Sequence, residues 1–299
     1  MNKEIALDPM AAPEPRTMAQ LIKRSLGPLC GKYLSDFPSD RWWQQYEARF
    51  SVTHQFPLEG LRTRWRNASH DFQRTYRNAD DWCTNVHREQ LLRPFAGVGA
   101  TTPNLFDYPS PDDDRFDDVL QAGNVGGSFD STPRAFVDIC SVLIARGPEV
   151  VINDPYLSKL DEQEHSNILR ALLAATVNSK TTEFLVFTQT EADGRNADTV
   201  LREFDALITD SPHGCRVRVV IVKKNPPTPF NFHQRFLITM NGGFTFDQGF
   251  GRHPKNYRND ALVIPEPKHK ELVAAFISDR HRWAASTIIK DRKWSMPKR

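Results

Sequence analysis

Residues 230–251, FNFHQRFLITMNGGFTFDQGFG, read as strand, tight turn, strand. Both arms are rich in Phe, Leu, Ile and Thr, and Asn241-Gly242-Gly243 supplies the turn. His233 and Arg235 stand at the mouth of the first arm. In an extended chain, residues two apart point to the same side. A histidine and an arginine on one face suit a phosphate: the imidazole acts as nucleophile or acid, and the guanidinium as a bidentate clamp. A Pro-rich loop precedes the pair at Pro226, Pro227 and Pro229. The bland alternative is a strand-edge histidine beside an ion-paired arginine.

Upstream of this hairpin the pattern alternates. Ser131-Thr132-Pro133 offers an N-cap with an early proline. The helix AFVDICSVLIAR follows and stops at Gly147, and EVVIN (149–153) has the composition of a buried parallel strand. It leads into Asp154-Pro155-Tyr156. The periodicity then predicts a helix over 161–177, a strand over 183–188, a helix over 197–209 and a strand over 216–222. Beyond the hairpin it predicts a strand over 261–264 and a helix over 268–285, with a basic tail at the end. Strands alternating with helices, closed by a hairpin, imply an α/β domain whose mixed sheet has flanking helices. Sites in such sheets form beyond the carboxyl ends of parallel strands. If the hairpin's first strand runs antiparallel to the others, Asp154, Gln189, His233 and Arg235 converge on one edge. Asp154 before Pro155 also suits a turn former, and Asp247 faces the same choice between turn and site. Arg252, His253, Lys255 and Arg258 add positive charge after the hairpin, fitting an anionic ligand or a solvated loop.

The first 125 residues read differently, as a mainly helical region ending in a linker. Residues 1–16 are polar, with three prolines, and read as loose. Residues 17–33 suggest a helix broken at Gly27-Pro28. Trp42, Trp43, Tyr46 and Phe50 recur at helical spacing and read as a stripe facing a core. Over 58–82, Arg62, Arg64, Arg66, Arg74 and Arg77 interleave with Trp65, Phe72 and Tyr76, while Glu59, Asp71, Asp80 and Asp81 dilute the charge. That pattern fits a solvated helical face or a nucleic-acid surface. Residues 93–130 carry four prolines, the run Asp112-Asp113-Asp114 and the glycines Gly123, Gly126 and Gly127, and read as an irregular connection. The domain boundary therefore falls near 125, giving domains 1–125 and 126–299.

The wider composition excludes several classes. The chain has 299 residues, 39% apolar and 25% charged, with a net charge of +2. It can bury a sizeable core, and its charge implies no partner. Cys30, Cys83, Cys140 and Cys215 are far apart, which argues against a zinc site or a disulfide framework and suits a reducing cytosol. No signal-peptide core and no membrane-length apolar run is present, so a soluble, cytoplasmic protein is expected. The chain lacks GxxxxGKS/T, GxSxG, HExxH and a post-strand GxGxxG. No cofactor and no metal is expected.

Residues 130–285 resemble the phospholipase-D-like fold. The likeness is to its divergent branch, found as the C-terminal domain of MIT-domain proteins and in bacterial relatives. It is carried by VVINDPYL, FLVF, RVRVVIV and HQRFLITMNGGFTFDQGFG. The resemblance implies that His233 corresponds to the attacking histidine of an HxK motif and Arg235 to its phosphate-holding lysine. Two such motifs complete a site in active enzymes. Here there is no second one, so a homodimer would be required. The aspartate five residues past the lysine would be Met240, and Asp247-Gln248 and Phe250 replace the Gly-Ser and Asn that follow.

Three functions fit these readings. The first is a degenerate, phosphate-recognising module that binds nucleic acid, phospholipid or a partner protein. The second is a homodimeric phosphodiesterase or nuclease using His233 and Arg235. The third is an assembly component of a bacterial multi-protein system that docks through residues 1–125.

Overall fold

A computed structural model describes residues 3–28, 30–50, 58–101, 103–121, 126–160, 163–189, 196–222, 233–251, 258–278 and 288–294. The chain forms two compact units, Asn2–Val125 and Gly126–Arg299.

The first unit adds a small sheet to the expected helices. It holds a four-stranded parallel sheet in the order β3-β2-β1-β4, made of β1 (Lys3–Leu7), β2 (Lys32–Ser35), β3 (Ser69–His70) and β4 (Gly97–Gly99). Its helices are α1 (Pro15–Ser25), α2 (Trp42–Phe50), α3 (Leu58–Ala68), α4 (Trp82–Leu92) and α5 (Asp114–Gln121). Residues 3–7, expected to be loose, are an inner strand. Strand alternation sends Ile5 and Leu7 into one cluster with the aromatic stripe of α2, while Ala6 packs on the other side with Phe37, Val86 and Phe95. The stripe reads as expected: Trp42 stacks on Tyr46 and on Trp65 of α3, with centroids 5.3 and 5.4 Å apart.

Glu4 hid this strand from the sequence. The strand reads KEIAL, and a carboxylate beside only three apolar residues argues against a buried strand. Arg74, far along the chain, closes on it with Nε–Oε1 at 2.6 Å and Nη2–Oε2 at 2.7 Å, both side chains nearly fully buried. The supposed linker is also structured. Its β4 forms a sheet edge, and Phe116 and Leu120 of α5 are buried in the core. Within the acidic run, Asp113 accepts from the backbone N–H of Arg115 and pairs with its guanidinium.

The second unit follows its sequence closely. Its elements are β5 (Gly126–Asp130), α6 (Pro133–Arg146), β6 (Glu149–Asn153), α7 (Gln163–Ala174), β7 (Glu183–Gln189), α8 (Ala197–Thr209), β8 (Arg216–Val222), β9 (Phe236–Thr239), β10 (Gly242–Phe246), β11 (Arg258–Val263), α9 (Glu266–Val273) with a π-helical turn over Ala274–Ser278, and β12 (Ile288–Trp294). They build an eight-stranded sheet in the order β12-β8-β7-β6-β9-β10-β11-β5. β6, β7 and β8 are parallel, and β9 runs antiparallel to β6. The middles of the central strands are apolar runs because both faces are covered. Val150, Ile152, Phe184 and Val186 meet α6, α7 and α8, while Val151, Leu185 and Phe187 meet Leu272 and Phe276. Thr132 caps α6, its hydroxyl accepting from Ala135 N–H at 3.3 Å. The expected helix over 268–285 is described to Ser278, and its remainder lies outside the described residues.

The hairpin turn lies one residue earlier than its glycines suggest. Gly242 pairs with Thr239, so Met240-Asn241 make the turn. Gly243 serves packing instead: a Cβ there would lie 2.6 Å from Ile238 and 2.7 Å from the Leu237 carbonyl. No helix among the described residues is long and apolar enough to cross a membrane.

Candidate functional site

The pairing of β9 against β6 places Phe236 opposite Asn153. The residues flanking that pair, Arg235 and Asp154, therefore meet at one sheet edge. Arg235 Nε lies 3.9 Å from Asp154 Oδ1. Its Nη1 donates to the Asp247 carbonyl, and its guanidinium carbon sits 5.1 Å from the Tyr156 ring centre. Three contacts thus fix the arginine.

Asp154 is 2% exposed. Its Oδ1 accepts from Tyr156 N–H at 2.9 Å and its Oδ2 from Phe250 N–H at 2.8 Å. Burial pushes this carboxyl above its ordinary range; the two N–H donors, Arg235 and His165 oppose the shift without cancelling it. The turn former expected at this position and the arginine partner are therefore one residue.

Two buried asparagines pin the surrounding backbone. Asn153 Nδ2 donates to the Gln234 carbonyl, holding the approach to β9. Asn259 Nδ2 donates to the Gly249 carbonyl at 2.8 Å, while its Oδ1 accepts from Gln248 N–H at 3.2 Å. The turn after β10 consequently lies against Asp154. Gly249 has φ +76°, and a Cβ on it would fall 2.2 Å from Asp154 Oδ2 and 2.5 Å from Arg235 Cδ.

Gln189 ends β7 at the same edge, and its backbone N–H donates to the Pro155 carbonyl at 3.3 Å. Asp247 is exposed; its Oδ1 accepts from Asp260 N–H at 2.7 Å. His233 is exposed at the strand mouth. It lies in a turn before β9 begins at Phe236, so strand alternation does not set its direction relative to Arg235. Arg252, His253 and Lys255 lie outside the described residues. Arg258 is on β11, where its guanidinium reaches the Ser128 carbonyl at 3.4 Å.

His165 and Tyr156 also belong to this edge, and sequence reasoning did not select them. His165 is buried in α7 against the glycine turn; a Cβ on Gly251 would lie 2.1 Å from its Nε2. Its signal was available: His165 precedes Ile168, Leu169 and Leu172 at helical spacing, so it sits on the apolar face. The three positions where active phospholipase-D enzymes carry supporting residues have other roles here. Met240 is 48% exposed in the hairpin turn, at the opposite end of β9 from Arg235. Phe250 is buried among Phe136 and Phe246, and the Asp247 carbonyl holds Arg235.

Fold and edge define a class: a two-unit α/β protein with a buried carboxylate–arginine pair at the carboxyl end of a parallel strand. No family model matches the chain, and no curated protein does. Among solved structures it is similar to an archaeal chromatin protein, TrmBL2, described as showing a novel mode of DNA binding. That likeness covers 56% of this chain and 54% of the other, at 9% identity and a TM-score of 0.27. The chain thus spans about half of that protein's length, and a likeness of this size decides neither fold nor function.

Proposed function

We propose that the Gly126–Arg299 unit is a phospholipase-D-like module that recognises a phosphate-bearing ligand through Arg235 and His233 and does not cleave it. The observation that carries the reading is the fixed arginine. Asp154, the Asp247 carbonyl and Tyr156 hold its guanidinium at the sheet edge, and its side chain remains 24% exposed. A pre-positioned guanidinium loses little entropy when an oxyanion arrives.

Recognition is favoured over catalysis by Met240 and Phe250. A turn residue and a core ring offer no acid, base or oxyanion donor to a reaction. The test is titration of the full chain with labelled single- and double-stranded oligonucleotides and with vesicles containing anionic lipid. Wild type is compared with His233→Ala and Arg235→Gln. The expected result is salt-dependent binding to one probe class that weakens at least about tenfold in Arg235→Gln, with no turnover of that probe. Binding that is indifferent to both substitutions and flat with salt would refute the reading. Hydrolysis lost in His233→Ala would replace it with the homodimeric phosphodiesterase.

A further inference from the structure

The Asn2–Val125 unit carries a groove between α1 and α3 with a volume of about 360 Å³. Its floor is apolar, formed by Ile22, Leu26, Pro28 and Ala68. Lys23 lines it from α1 and Arg64 from α3. Both cations are exposed, and neither has an ion pair among the described residues. The volume falls within the roughly 300–1,000 Å³ typical of small-ligand sites, which are likewise mostly apolar with a few placed polar groups.

Helix geometry explains the placement. Arg64 and Ala68 are four residues apart, so they share a face of α3. At about 100° per residue, Arg62 and Arg66 fall on the opposite flank, away from the groove. Arg16 lies seven residues before Lys23, on the same flank of α1. α1 contains no acidic residue, and α3 contains only Glu59, about 140° around the helix from Arg64. Neither helix therefore turns a carboxylate toward the groove. The dipole of α1 favours a cation in its last turn and accounts for Lys23 without any ligand. It does not account for Arg64, which precedes the last turn of α3 and faces a different helix.

We propose that this groove binds a nucleotide unit, free or within a single strand, with its phosphate between Lys23 and Arg64 and its base against the apolar floor. The site is separate from the Arg235 edge in residues and in structural unit, so it stands or falls independently. Two cations on an open rim suit one phosphate. The apolar floor suits the face of one unstacked base, which a duplex does not present.

The test is fluorescence anisotropy on the full chain with a labelled single-stranded oligonucleotide, with AMP, inorganic phosphate and an unlabelled duplex as competitors. Expected results are displacement by AMP well ahead of inorganic phosphate, and at least about tenfold weaker binding in Lys23→Glu/Arg64→Glu. In Lys23→Gln/Arg64→Gln the slope of log K against log salt should shrink by about 0.7, the value for one phosphate of a single strand. Arg62→Glu, on the far flank, should cost less than about threefold. All substituted groove side chains are exposed, and an unchanged melting temperature verifies the fold. The proposal is overturned by absent binding in wild type, by duplex displacing as well as AMP, or by Arg62→Glu weakening binding as much as the groove variants. A loss confined to Arg235→Gln overturns it as well and assigns the binding to the C-terminal unit.

Discussion

Replacing Gly249 by alanine should cripple the Asp154–Arg235 edge with a single methyl group. Two costs add. The backbone at φ +76° is left-handed, which costs an L-residue roughly 1–2 kcal/mol. The new Cβ would lie 2.2 Å from Asp154 Oδ2, where ordinary contact begins near 3.4 Å. The carboxylate cannot retreat by more than an ångström and keep its 2.8 Å bond from Phe250 N–H. Arg235 Cδ would also stand 2.5 Å from the same methyl. Overpacking of this kind costs about 1–3 kcal/mol. The sum is about 2–5 kcal/mol, which for a unit of this size lowers the melting temperature by roughly 4–20 °C. Scanning calorimetry reads the shift, and oligonucleotide or vesicle titration reads any loss at Arg235. Gly127→Ala is the control, since a Cβ there meets nothing within 4 Å. A Gly249→Ala protein that melts within about 2 °C of wild type, or a control that falls as far, would refute the reasoning.

Two further outcomes follow from buried polar groups. Glu4→Ala should destabilise the first unit by about 3–5 kcal/mol in urea unfolding, because it strands the buried Arg74; Glu4→Met/Arg74→Met should cost less than that single change. His269 is buried, and its Nε2–H donates to the Thr239 carbonyl at 2.8 Å; burial lowers its pKa. Below the ordinary histidine value of about 6.5, the unfolded chain therefore takes up a proton that the folded chain resists, so stability should fall as pH drops from there toward the lowered folded pKa. That increment should vanish in His269→Gln; an unchanged pH slope in this variant would count against the assignment.

The sequence by itself determined most of the second unit. Its strands are short apolar runs, its helices carry a consistent face, and Thr132-Pro133 and Gly147 mark α6 at both ends. Those are local signals, and each element obeys its own periodicity. Even the meeting of Asp154 with Arg235 followed from chain order once β9 was taken as antiparallel to β6, because antiparallel pairing brings one strand's end to the other's start. Long-range partners were not legible. Glu4 disguised β1 until Arg74 neutralised it, and the three-residue β4 is too short to carry a period. The same limit applies within the site. A histidine on the apolar face of α7 could have been noted from spacing, but only the folded turn at Gly249–Gly251 brings it to the Asp154 edge. Gly243 reads as a turn residue in the sequence, and nothing there sets Gly249 apart. Tertiary structure separated them: one admits Ile238, and the other leaves room for a buried carboxylate and its arginine. A glycine's role is set by what approaches it, and that depends on chain brought from elsewhere in the fold.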